Sequence, residues 1–148
     1  LSQAAFPVMK QQHYGRIIFT TSGRAMFLEH ALPELTGYAI GKMAQLGLMN
    51  ALVAAGEAWG IRVNAISPVA ATRMFRSSVA PQELSPEQVA PGVAYLASSH
   101  CNASGIILQA SNGHFSTVQW HRSTSVDFGV QAATPEAIGD QWNLITGG

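Results

Sequence analysis

Tyr38 and Lys42 stand four residues apart in TGYAIGK (36–42), in a chain that holds only two lysines, Lys10 and Lys42, and three tyrosines, Tyr14, Tyr38 and Tyr95. On a helix that spacing puts both side chains on one face, so a phenol and an ammonium can share one site. A neighbouring positive charge favours the phenolate over the phenol, which suits Tyr38 to give and take a proton near neutral pH. Taken alone, the pair fits equally well on the exposed face of an amphipathic helix, with the lysine stem lying along it. What else reaches the same place separates the two readings. Ser22 follows the run RIIFTT (16–21), at the C-terminal end of an expected strand, where open parallel sheets keep their ligand crevices. A hydroxyl there can hold a carbonyl oxygen while Tyr38 protonates it.

The elements that must position these residues read out in order. SQAAFPVMKQQ (2–12) has apolar residues at helical spacing, with Pro7 expected to interrupt or kink it. RIIFTT, bounded by Gly15 and by Ser22-Gly23, has the composition of a buried strand. GRAMFLEHALPEL (23–35) is of mixed character, and a long helix of small residues is expected from about Thr36 to Trp59, closed by Gly60. IRVNAISP (61–68) is a second buried strand, ended by Pro68. A loop rich in Ala, Ser and Pro leads to a helix in EQVAPGVAYLASS (87–99) and a third strand near GIILQA (105–110). This alternation implies an α/β fold, a parallel sheet with helices on its faces. From Ser111 the chain reads as polar and irregular until TPEAIGDQWNLI (134–145), where Thr134 before Pro135 marks a capped helix start.

Composition bounds the partners. The chain has 148 residues, the size of one domain, and its 47% hydrophobic content can fill a core. Only 11% of residues are charged, thin coverage for a free surface, so part of it is expected to be covered. The stripe Ala44, Gly47, Ala51, Ala54 and Ala55 marks the helix at about 36–59 as that surface, because small residues let helices approach closely; packing on the chain's own sheet would use the same residues. The net charge is zero with no basic run, which argues against nucleic acid and an anionic membrane. No apolar run is long enough to span a bilayer, and the first residues lack the pattern of a signal peptide, so a cytoplasmic, soluble chain is expected. The single Cys101 excludes an internal disulfide, and the five His lack metal-site spacing, so no metal is expected.

GRIIFTTS (15–22), YAIGK (38–42), IRVNAISP (61–68) and VAYLASS with SGIILQASNG (93–113), in that order, resemble the C-terminal half of a short-chain dehydrogenase/reductase over nearly the whole chain. Within that family the continuation PVAATRM (68–74), the tail NGHFSTVQWHRS (112–123) and the final TPEAIGDQWNLI are most similar to the (3R)-hydroxyacyl-CoA dehydrogenase domains of peroxisomal multifunctional enzymes of type 2. The resemblance implies a Rossmann-like fold, an NAD or NADP cofactor, an acyl-CoA-like substrate, a homo-oligomer built through the helix at about 36–59, and a peroxisomal location if the parent is eukaryotic. It implies that Ser22 orients the substrate carbonyl and that Tyr38 is the acid/base. By the same resemblance Lys42 would support Tyr38 and bind the nicotinamide ribose, and Pro68, Val69, Ala71 and Thr72 would border the nicotinamide. Three departures stand out. Val69 follows Pro68 where the family usually has glycine, Thr72 comes one place early, and Ser22 lies further ahead of Tyr38 than is usual, the extra length falling in FLEHALPEL (27–35).

No glycine-rich turn between a strand and a helix is present to hold a pyrophosphate, and no acidic or basic residue after a second strand chooses between NAD and NADP. Residues 1–148 are therefore expected to form a partial dehydrogenase domain lacking its N-terminal dinucleotide-binding half. Such a chain is expected to be inactive alone. The alternative is a non-catalytic module that only self-associates or pairs with intact relatives.

Overall fold

The computed structural model describes residues 1–71, 84–130 and 133–147, which fall into two units, 1–118 and 119–148. In the first, four strands lie in the order β1 (Gly15–Thr20), β2 (Ile61–Val69), β3 (Ile107–Ser111), β4 (His114–Val118). The first three are parallel, with Gly15 opposite Ile61 and Ala65 opposite Ile107, and β4 runs antiparallel to β3.

β2 is paired on both sides and covered on both faces, so that even Asn64 and Ser67 are buried among its apolar residues. Its odd-numbered residues Ile61, Val63 and Ala65 join Leu46, Met49 and Ile107 in one core, under α1 (Ser2–Gln12) and α3 (Thr36–Gly56). Ile66 turns to the opposite face and meets Val89 and Ala110, beside α4 (Ala90–Ala97). Asn64, 1% exposed, donates from Nδ2 to the Ala103 carbonyl and accepts from the Ile106 N–H, so its burial leaves neither end of the amide unpaired.

Local signals account for most boundaries. α3 gives way to a short 3-10 turn, Glu57–Trp59, and Gly60 follows with φ of +67°; a Cβ there would meet the His13 carbonyl oxygen at 2.5 Å. Glycine is needed on both counts.

Three elements differ from the sequence reading. α1 runs through Pro7 without interruption. The proline forfeits a single hydrogen bond, to Gln3, and both residues are exposed, so water can serve the freed carbonyl. β2 also continues through Pro68 to Val69. Ile66 accepts from the Thr21 N–H on the β1 side, and two residues later the missing N–H of Pro68 faces that same side, where β1 has already ended. β4 was not expected at all. Asn112 and Gly113, with φ of +49° and +75°, form a two-residue turn that folds His114–Val118 back onto β3. Positive φ at both turn positions matches the right-handed twist of the flanking strands, and Asn-Gly is the strongest short signal for it.

Between β1 and α3 lie α2 (Gly23–Met26) and two 3-10 turns, Leu28–His30 and Pro33–Leu35. In the second unit, α5 (Pro135–Asp140) begins as expected, the Thr134 hydroxyl accepting from the Ala137 N–H, and α6 (Trp142–Thr146) follows. Among the described residues no helix is long and apolar enough to cross a membrane.

Candidate active site

β1 delivers Thr20, Thr21 and Ser22 to the C-terminal edge of the parallel sheet, and the adjacent β2 delivers Pro68 and Val69 to the same edge. The N-terminal half of α3 passes over it with Tyr38 and Lys42 on one face. A cavity of about 620 Å3 opens there, lined by Ser22, Tyr38, Lys42, Pro68, Val69 and Ala70 among others. Five of the residues singled out in the sequence therefore border one space. Ala71 is not among them; its N–H is engaged with the Leu84 carbonyl oxygen, and Ala70 takes its place in the wall. Thr72 lies outside the described residues.

The Lys42 ammonium is 5.6 Å from the centroid of the Tyr38 ring and donates to the Thr20 carbonyl oxygen at 2.8 Å. The Thr21 hydroxyl, 2% exposed, donates to the Lys42 carbonyl oxygen at 3.1 Å. Strand and helix are thus tied at the level of the two charged and phenolic groups. Ser22 is the N-cap of α2, its hydroxyl oxygen accepting from the Arg24 N–H at 3.3 Å. Capping engages one lone pair and leaves the hydroxyl proton free to donate into the cavity.

The segment between Ser22 and Tyr38 is more than a connector. Arg24, Glu29, His30, Ala31, Leu32 and Leu35 all line the cavity. The residues by which this chain exceeds the usual spacing form a wall, apolar at Ala31, Leu32 and Leu35, charged or polar at Arg24, Glu29 and His30. His30 is braced edge-on against Phe27, with ring centroids 5.7 Å apart. Nothing in the sequence distinguished His30 from the other four histidines, because its place depends on how the two 3-10 turns fold back over the sheet edge. Among the described residues no group of three His, Cys, Asp or Glu is arranged to hold a metal ion.

Chemically, the cavity can bind a small carbonyl or alcohol, offer it a hydroxyl donor from Ser22, and exchange a proton with Tyr38 beside a fixed positive charge. Lys42, Tyr38, Pro68 and Val69 give the nicotinamide-ribose end of a dinucleotide a surface of one cation, one phenol and two apolar side chains. That end of the cofactor fits. No glycine-rich turn for its pyrophosphate occurs in the sequence.

The family described as short chain dehydrogenase matches residues 1–83. The peroxisomal hydratase-dehydrogenase-epimerase of Saccharomyces cerevisiae is 35% identical over 151 residues, covering 99% of this chain and 16% of the yeast protein. The peroxisomal multifunctional enzyme type 2 of Mus musculus is 33% identical, over 98% of this chain and 20% of its own length. The structure of the full-length peroxisomal multifunctional enzyme type 2 from Drosophila melanogaster superposes with a TM-score of 0.83 at 30% identity, over 98% of this chain and 27% of that one. The chain spans only a small part of each of these relatives.

Proposed function

Because the chain belongs to the short-chain dehydrogenase family, we propose that it carries the proton-transfer part of an NAD(P)-dependent oxidoreductase that interconverts a 3-hydroxyacyl and a 3-oxoacyl thioester, with (3R)-hydroxyacyl-CoA as substrate. The observation that supports this most directly is the single cavity bordered by Ser22, Tyr38, Lys42, Pro68 and Val69. In the oxidative direction the Ser22 hydroxyl holds the substrate's 3-hydroxyl oxygen. Tyr38 as phenolate takes the proton from that oxygen, and the Lys42 ammonium stabilises the phenolate and binds the ribose. A nicotinamide held against Tyr38, Lys42, Pro68 and Val69 would supply the acceptor for the hydride of C3. The apolar wall of Ala31, Leu32 and Leu35 receives the acyl chain, and the name of the yeast relative, a hydratase-dehydrogenase-epimerase, supports a dehydrogenation. The peroxisomal location in the names of the yeast and mouse relatives is proposed for this chain as well.

The dinucleotide's remaining contacts belong to a glycine-rich half, so the site is the C-terminal half of a dehydrogenase domain in this reading. Joining the chain to such a half and assaying both enantiomers of 3-hydroxyacyl-CoA tests it, with NAD and NADP in parallel. Faster (3R) oxidation is expected; equal rates or faster (3S) oxidation discards the substrate assignment. The 148 residues alone are expected to show no measurable turnover, since losing the groups that orient the nicotinamide forfeits roughly 7–11 kcal/mol of positioning. Robust turnover by the chain alone would overturn that requirement.

One further observation favours self-association. Ile40, Ala44, Gly47, Leu48, Ala51, Ala54 and Ala55 are all exposed on α3, with Ile40 66% exposed, while Leu46 and Met49 take the buried side. A Cβ added at Gly47 would meet no atom. This stripe does not pack on the chain's own sheet, and a second copy of α3 is proposed to cover it. A chain acting only through that surface, without catalysis, is the alternative reading, and the turnover assay separates the two.

A further inference from the structure

We propose that His30 is a specificity-determining residue, which donates a hydrogen bond to the thioester carbonyl at C1 while Ser22 and Tyr38 hold the oxygen at C3. This rests on the catalytic reading of Ser22 and Tyr38 given above, and it accounts for how the same site tells a 3-hydroxyacyl thioester from a plain secondary alcohol. Such a thioester carries two oxygens on carbons separated by one methylene. Once the first oxygen is fixed, a donor for the second must stand within a few ångströms of it. His30 borders the same cavity as Ser22 and Tyr38. A Cβ built on Gly23 would lie 3.5 Å from His30 Nδ1, so the imidazole rests against the residue that follows Ser22.

The backbone fixes that placement. Phe27 donates its N–H to the Gly23 carbonyl oxygen at 2.9 Å, and His30 donates its own to the Phe27 carbonyl oxygen at 3.1 Å, so two hydrogen bonds lead from the neighbour of Ser22 to His30. The Phe27 ring then meets the imidazole edge to face, with centroids 5.7 Å apart. All of these contacts lie between Ser22 and Tyr38 in the chain, and none uses an edge of the sheet. Two other charged side chains line this wall, Arg24 and Glu29. An ionised carboxylate only accepts hydrogen bonds, so Glu29 has nothing to offer a carbonyl. Arg24 can donate, but from the end of a long, exposed side chain whose ordering costs entropy. His30 is exposed as well, yet its ring is already braced. An imidazole carries an N–H in either neutral tautomer and when protonated, so a donor is present in every state.

Two probes isolate the carbonyl: the N-acetylcysteamine thioester of (3R)-hydroxybutyrate, and the thioether in which a methylene replaces its C1 carbonyl. Each is titrated into the chain, and binding is read from the amide NMR signals of Ser22 and Tyr38. The thioester should bind about three- to tenfold more tightly, the scale of one hydrogen bond. His30→Phe, which keeps a ring against Phe27 and removes the donor, should erase that preference, and His30→Gln, which keeps a donor, should recover part of it. A preference that survives in His30→Phe overturns the proposal, including the case in which both affinities fall together. So does a chain that binds neither probe. Should the phenylalanine variant misfold, selective labelling of histidine in the unaltered chain reads the same contact: the ring signal that His30→Gln removes should move with the thioester and stay with the thioether, and an unmoved signal overturns the proposal. These readouts need no turnover. Ser22 and Tyr38 signals that answer both probes alike sink this proposal and leave the dehydrogenase reading standing, whereas failure of the enantiomer assay beside an intact thioester preference does the reverse.

Discussion

The Lys42 ammonium donates to the carbonyl oxygen of Thr20 at 2.8 Å. The contact joins the first turns of α3 to the last residue of β1, and it holds a cation 5.6 Å from the Tyr38 ring. An ammonium has three donors, so this bond leaves two for a ribose or for water. The consequences can be measured.

Replacing Tyr38 by Phe in a dehydrogenase assembled from this chain and a dinucleotide-binding half should lower kcat by about a hundredfold or more while leaving cofactor affinity nearly unchanged, because only the proton-transferring hydroxyl is lost. Lys42→Ala should impair both, since it removes the charge beside Tyr38, the proposed ribose contact and the grip on Thr20. Steady-state kinetics with cofactor titration checks the contrast. A Tyr38→Phe enzyme of ordinary kcat would eliminate Tyr38 as the acid/base.

Ser22→Ala should reduce kcat and, separately, stability. The hydroxyl caps α2 through the Arg24 N–H, and loss of a cap costs about 0.5–2 kcal/mol. Ser22→Asn retains an accepting oxygen and should recover most of the melting temperature without recovering the rate. Calorimetry beside kinetics reads the two effects apart; coincident recovery of both would deny Ser22 a chemical role.

Self-association should depend on the exposed small-residue face of α3. Ala51→Arg puts a bulky charge where a second copy would pack, and an unpaired buried charge costs several kcal/mol, enough to dissociate the assembly. Light scattering should register a fall in mass for the variant. A folded wild-type chain that stays monomeric at high concentration rules the interface out.

Gly60→Ala should destabilise the chain by about 2 kcal/mol or more, read as a lower urea midpoint, because alanine at φ of +67° is strained and its Cβ would collide with the His13 carbonyl oxygen at 2.5 Å. Gly47→Ala, with open space at the Cβ, should leave the folded monomer as stable or more so. Equal midpoints for the two variants would contradict the geometry at Gly60.

The sequence by itself determined the features that depend on near neighbours. The strand-helix-strand alternation, the start of α3, the cap at Thr134 and the shared face of Tyr38 and Lys42 follow from helical and strand periods and from side chains reaching a few residues along the chain, whereas α3 gives way at Gly56 to a 3-10 turn instead of running to Trp59. Asn112-Gly113 is an equally local signal for the hairpin, but the strand after it is not legible, because the side chains of β4 are largely exposed and carry no buried apolar alternation. Only the tertiary structure decided the rest. Whether Ala51 packs inward or faces solvent depends on how α3 is rotated over the sheet, and small residues suit either outcome. That FLEHALPEL becomes a cavity wall, that Ala70 lines it instead of Ala71, and that Gln45 reaches Thr20 across 25 residues of chain are matters of strand register and helix placement. These are set by the burial of Leu46, Met49, Val63 and Ile107 together. Distances between residues far apart in sequence emerge from the whole core at once, and no local window carries them.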